Sequence, residues 1–127
     1  MPKLTQLVLT LRSQPGVLAG VARALADAGV NITALCASDA AGRGKIRILT
    51  RNVAQARRAL RAAGYRPTEE PAFVVRLANK PGTLARTAEK VAKARINIRS
   101  AYATAAGRSS IVVMTVGSPA RARKVLR

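Results

Sequence analysis

The sequence has no histidine and no tryptophan, one cysteine, one phenylalanine and two tyrosines, and only five Asp and Glu among 127 residues. Each scarcity removes a class of chemistry. Without histidine there is no imidazole base for a nucleophile. The acids Asp27, Asp39, Glu69, Glu70 and Glu89 are scattered. Glu69 and Glu70 are adjacent, so in a strand they point to opposite faces. No paired-carboxylate site and no metal-ligand cluster emerges, and the chain reads as neither an enzyme nor a holder of metal or cofactor. A single cysteine, Cys36, rules out an internal disulfide and reads as a small buried hydrophobe. It fits a reducing compartment, so a cytoplasmic location is expected. No apolar run approaches the ~20 residues of a membrane span. Met1-Pro2-Lys3 leads straight into an alternating pattern, so no signal peptide is expected.

What the chain has in excess is positive charge: 23 Lys and Arg give a net charge of +18. Such a balance favours polyanions and makes any such contact strongly salt-dependent. Abundant Ala, Arg and Gly would suit a GC-rich genome, but that does not account for the lack of acids.

The pattern that organises the sequence is Asn79-Lys80-Pro81-Gly82-Thr83-Leu84, with a near copy at Ser13-Gln14-Pro15-Gly16-Val17-Leu18. The two lie 66 residues apart, and Asn31 and Asn97, and Leu60 and Leu126, keep the same spacing without a gap. The chain is one unit written twice. In each copy a strand runs into Pro-Gly and then into a helix. Proline presets a turn or a first helical position, and glycine permits close backbone approach. The helix-start N–H groups lack internal partners and favour negative charge, so the turn can hold a carboxylate or phosphate. A plain strand-to-helix turn is the competing reading.

Hydrophobic periodicity predicts strands over residues 4–12, 30–38, 45–51 and 65–70 and helices over 16–28 and 53–63. Val17, Leu18, Val21 and Leu25 form the first helix's apolar stripe, and Gly29 and Gly64 stop the two helices. The second unit repeats this with strands over 72–78, 96–104 and 109–116 and helices over 82–94 and 119–127. It has no counterpart of residues 65–70, so one sheet edge is expected to lie unpaired. The fold class is α+β: two tandem ferredoxin-like βαββαβ units, residues 1–70 and 71–127, the second lacking its last strand. Each unit alone would be a marginal domain.

The strand, the N-x-P-G-x-L loop, the helix, and then Val30-Asn31-Ile32 or Ile96-Asn97-Ile98 resemble the ACT domain. The resemblance covers both units nearly end to end. Departures are Ser13 in place of Asn, Arg95 in place of a helix-ending glycine, and the missing last strand. The resemblance implies a regulatory module that binds a small molecule, most often an amino acid, at the seam between paired ACT units. Carried over, the loop positions are Gln14, Pro15, Gly16, Val17 and Leu18, and Asn79, Pro81, Gly82, Thr83 and Leu84. The strand positions are Asn31 and Ile32, and Asn97 and Ile98. The chemistry is compatible: the N–H groups of Gly16 and Val17, or of Gly82 and Thr83, would take a carboxylate. Asn31 or Asn97 would accept from an ammonium, and Leu18, Leu84, Ile32 and Ile98 would wall a side chain. Asn31 and Asn97 read equally well as strand-entry residues that bond their own backbone.

A nucleic-acid or polyanion-binding protein is the rival reading, with Lys45, Arg47 and Arg51 on one strand and Arg57, Arg58 and Arg61 on a helix. The scarcity of aromatics argues against base stacking, so nucleic-acid binding would be weak, electrostatic and indifferent to sequence. Finally, alternation places Lys45, Arg47 and Leu49 outward in the first unit and Ile111, Val113 and Thr115 outward in the second, with Val74, Ala101 and Ala103. An apolar sheet face and an unpaired edge predict a homodimer built on residues 72–127.

Overall fold

The computed structural model describes residues 3–126, with the backbone alone at Lys3. Met1, Pro2 and Arg127, the expected last residue of the final helix, lie outside the described residues. The element order is β1 (Lys3–Arg12), α1 (Val17–Asp27), β2 (Ala34–Ala40), β3 (Arg43–Leu49), α2 (Val53–Ala62), β4 (Thr68–Ala78), α3 (Thr83–Lys93), β5 (Ile98–Ala106), β6 (Ser109–Val116) and α4 (Pro119–Val125). The class is α+β and the units are ferredoxin-like, as the periodicity predicts.

Two compact units divide between Glu70 and Pro71, with Leu4 grouped with the later one. The hydrogen-bonded strand order is β2-β3-β1-β4 in the first and β4-β6-β5 in the second. Pro71 therefore does not separate two strands. Residues 68–78 form a single strand, whose start is the first unit's fourth strand and whose remainder is the second unit's first. No strand follows α4 among the described residues.

Within each unit one face of the sheet carries the core. In the first, Leu7, Leu9, Ile46 and Ile48 pack with Val21 and Leu25 of α1 and Ala56 and Leu60 of α2. In the second, Phe73, Val75, Val112 and Met114 pack with Val91 of α3, Ala122 of α4 and Leu126. Leu18 departs from its expected place in the apolar stripe and is 45% exposed.

The second strands begin later than alternation suggests, at Ala34 instead of Val30 and at Ile98 instead of Ile96. The residues between are used to close helices. The N–H of Val30 donates to Leu25 O at 2.9 Å and that of Gly29 to Ala26 O at 3.0 Å. This is a Schellman closure with Gly29 left-handed at φ 72°. Tyr65 and Gly64 close α2 in the same way on Leu60 O and Arg61 O, and Ile96 and Arg95 close α3 on Val91 O and Ala92 O. Arg95 sits at φ 57°, a conformation that costs an L side chain ~1–2 kcal/mol. Arg95→Gly is expected to stabilise the chain by up to about 1 kcal/mol, offset in part by glycine's larger unfolded-state entropy. Urea midpoints of the two proteins check this, and a lower midpoint in the variant would refute it.

The outward face of the second unit differs from the alternation reading. Register pairs Ala101 with Met114 and Ala103 with Val112, so these alanines lie on the helix side. Tyr102, opposite Val113, takes the outward position instead. Val113 is 1% exposed and Thr115 5%, and Ile111 and Val74 are half-buried. The exposed apolar face from which a dimer was expected is therefore not present in this form. A shift of one residue in β5 pairing, marked by the irregularity between Ile98 and Ser100, moves every side chain to the other face.

Candidate functional site

Both Pro-Gly loops bend through a left-handed glycine at the helix N-cap, Gly16 at φ 88° and Gly82 at φ 91°. The first intrahelical bonds are Gly20 N–H to Gly16 O and Arg86 N–H to Gly82 O, at 2.9 and 3.0 Å. The N–H groups ahead of them are the helix-start donors. Two of the expected carboxylate donors are already engaged over long distances: Val17 N–H with Gln14 O at 3.3 Å, and Thr83 N–H with Lys80 O at 3.4 Å. A valine at either glycine would be strained by the backbone conformation alone, so lost binding there would not separate the site from the fold.

The loops are tied to the hairpin turns beside them. Ser13 N–H donates to Gly42 O at 2.8 Å, and Asn79 N–H to Arg108 O at 2.8 Å. The Asn79 side chain adds a bond from Nδ2 to Gly107 O at 2.9 Å. Thr83 Oγ1 donates within its own loop, to Ala78 O or Lys80 O. These side chains therefore shape the second loop.

The first loop borders two clefts. One of about 430 Å³ is lined by Leu11, Arg12, Gln14, Pro15, Gly16, Val17 and Tyr65. The other, about 230 Å³, takes in Leu18 and Ile46 together with Gln14 and Val17. Asn31 and Ile32 line a third cleft of about 650 Å³ with Thr50, Asn52 and Gln55. This last cleft is at the opposite end of the unit. α1 runs 11 residues, ~16 Å, from the loop toward Asn31, and β2 returns toward the loop's turn. Neither unit brings its loop and its Asn-Ile pair together. Asn31 and Asn97 are exposed, and it is their carbonyls that are engaged: Asn31 O accepts from Thr50 Oγ1 at 2.8 Å, and Asn97 O from Gly117 N–H at 2.9 Å. Ile32 and Ile98 are half-buried. Pro81 and Gly82 lie exposed, and Leu84, 49% exposed, stands where Leu18 stands in the first unit.

Sequence reasoning missed Arg12 and Tyr65 as cleft residues. One signal was available. Gly20 interrupts a helical pattern, which costs ~1 kcal/mol against alanine and hints at close approach. A Cβ at Gly20 would lie 2.8 Å from the Tyr65 hydroxyl. In the second unit the matching position is Arg86, whose Nη1 would lie 3.2 Å from a Cβ at Gly82. The two loops thus share a backbone and differ in their surroundings.

Cys36 is a free, half-buried thiol. Among the described residues no group of three or more His, Cys, Asp or Glu could hold a metal ion, and no helix is long and apolar enough to cross a membrane.

A family model described as an ACT domain pair matches residues 2–127. No curated protein matches the chain in sequence. Among solved structures, protein BT0572 from Bacteroides thetaiotaomicron is similar with a TM-score of 0.92 at 24% identity, over 98% of this chain and 86% of that one. The regulatory subunit of aspartate kinase from Thermus thermophilus, in a ligand-free form, is similar with a TM-score of 0.70 at 21% identity, over 97% and 87%. That from Thermus flavus gives 0.67 at 22% identity, over 95% and 89%.

Proposed function

Because this chain belongs to the ACT domain pair family, we propose that it is a non-catalytic regulatory module whose ligand is an amino acid. The observation that carries the reading is the duplicated loop, in which a left-handed glycine opens each helix start beside an exposed leucine. The loop supplies donors for a carboxylate, and Leu18 or Leu84 supplies an apolar wall. The ammonium falls to Asn31 or Asn97. Because each unit holds its loop and its asparagine at opposite ends, a second copy of the chain brings them together: the loop of one and the second-strand head of the other. A homodimer is proposed on this ground, since Val113 is already buried. The fold is shared with regulatory subunits of aspartate kinase, which supports a role in controlling another protein.

A thermal-shift screen across the twenty amino acids tests this, because a ligand that binds only the folded state raises Tm. One amino acid, or a chemically related few, is expected to stabilise. Leu18→Ser and Leu84→Ser then separate the site from the fold. Both side chains are half-exposed, so stability should hold, while calorimetry should show affinity lower by roughly tenfold in at least one variant. Unchanged affinity in both, or no stabilising amino acid, would sink the proposal. Light scattering should show a dimer, and binding should persist at high salt.

A further inference from the structure

The geometry points to a second binding surface, on the side of the first unit's sheet away from its helices, that takes the phosphate backbone of duplex nucleic acid. The surface is the end of that face formed by Thr10 and Arg12 of β1, Ser38 and Ala40 of β2, and Arg43 and Lys45 of β3. Register places Arg12 directly opposite Arg43, and Thr10 opposite Lys45, with Ser38 and Ala40 on the other side of β3. All six residues are exposed or half-buried, and the three cations have no ion pair among the described residues.

Like charges directly opposite in a sheet are destabilising. Arg43 and Lys45 stand two residues apart, ~6.8 Å, with Arg12 beside them. The acid on this face, Glu70, is already held by Gln6 and Arg47. The chain therefore keeps a repulsive cluster that an external polyanion would relieve.

The second unit provides an internal control. It has the same fold and the same register, with Arg76, Ala78, Thr104, Ala106, Ser109 and Ile111 at the matching positions. One cation stands where the first unit has three. Lys and Arg are no scarcer in residues 71–127 than in 5–70, so a bias in overall composition does not account for the cluster.

The chemistry selects the partner. A protein partner would need apolar or aromatic anchors, and this patch has none. A single strand would need aromatic faces on which to stack bases. Of the chain's aromatics, Phe73 and Tyr102 belong to the second unit, and Tyr65, which lines the loop cleft with Arg12, stands on none of these three strands. What remains is point charges and hydroxyls, the groups that hold a phosphate backbone without reading sequence. The duplex offers the denser line of charge.

Fluorescence anisotropy with a labelled duplex of about 20 base pairs, over ~50–300 mM salt, tests this. The wild type should bind irrespective of sequence, with steep salt dependence. Arg12→Gln/Arg43→Gln/Lys45→Gln should weaken binding at least about tenfold at ~100 mM salt and reduce the log–log salt slope by roughly 2.7, about 0.9 per lost phosphate contact. Its Tm should not fall, since repulsion is removed; Lys45→Gln alone should reduce the slope by about 0.9 and serves if the triple variant does not fold. The control Arg86→Gln/Lys90→Gln/Lys93→Gln on α3 should stay within about threefold of wild type. The inference is overturned by absent binding at ~50 mM salt, or by equal loss in the control. Equally tight binding of a single strand or of polyglutamate of the same charge would also overturn it.

Discussion

Phe73→Ala is expected to destabilise the protein by about 3–5 kcal/mol, the largest loss from any single side chain in the second unit. Phe73 is fully buried and lies opposite Met114 in the sheet. It is the one phenylalanine in the chain, in a core otherwise made of Val, Ile, Leu, Met and Ala. Close-packed surroundings relax only in part around a truncated side chain, so the cavity term should add to the lost transfer energy. Phe73→Leu, which places there the residue type that Leu7 has in the first unit, should cost under about 1.5 kcal/mol after repacking. Urea denaturation gives the totals, and amide exchange at Val112 to Val116 localises the loss. A Phe73→Ala protein within about 1 kcal/mol of wild type would refute this account of the core.

Glu70→Ala should cost about 2 kcal/mol, although Glu70 looks no more important in sequence than its neighbour. Its Oε1 accepts from Gln6 Nε2 at 2.8 Å and lies 3.4 Å from Arg47 Nε. Gln6 is fully buried, and Arg47 Nε is buried without an aligned hydrogen bond. The carboxylate therefore compensates a guanidinium that water reaches poorly. Breaking a fully buried pair costs about 3–5 kcal/mol. The side chains here remain 19% and 32% exposed, which lowers the figure by screening. Glu69 gives the contrast. It accepts from Arg57 Nε at the shorter distance of 2.7 Å, but with 29% and 41% exposure. Glu69→Ala should cost no more than about 1 kcal/mol. The shorter bond should contribute less, because desolvation outweighs distance here. Equal midpoint shifts for the two variants would overturn this ordering, and a double-mutant cycle with Arg47→Leu would isolate the Glu70 coupling.

The two glutamates also show what one-dimensional pattern can settle. Adjacent residues of a strand face opposite ways, and Glu69 does meet helix α2 while Glu70 meets Arg47 of β3. The inward faces were equally legible, in Leu7, Leu9, Phe73 and Val75, because period two is fixed by the backbone. So were the duplicated loops and the helix stops, since left-handed turns select glycine whatever the surroundings. Arg95 was readable as a departure, and the structure gives it the same left-handed role at φ 57°.

The sequence by itself determined the α+β class, the duplication, the family and the identity of the loops. All of these rest on local backbone preference and spacing, which are carried within a few residues. Tertiary structure decided the rest. It joined residues 68–78 into one strand across Pro71, because backbone groups pair with whatever strand lies beside them. It buried Val113 and exposed Leu18 and Leu84, because burial depends on what packs against a residue as well as on its pattern. It set each loop and its asparagine at opposite ends of a unit, since a helix of 11 residues separates them in space as well as in sequence. And it brought Arg12, Arg43 and Lys45 onto one end of one sheet face, a cluster written by strand register and invisible to the count of charges.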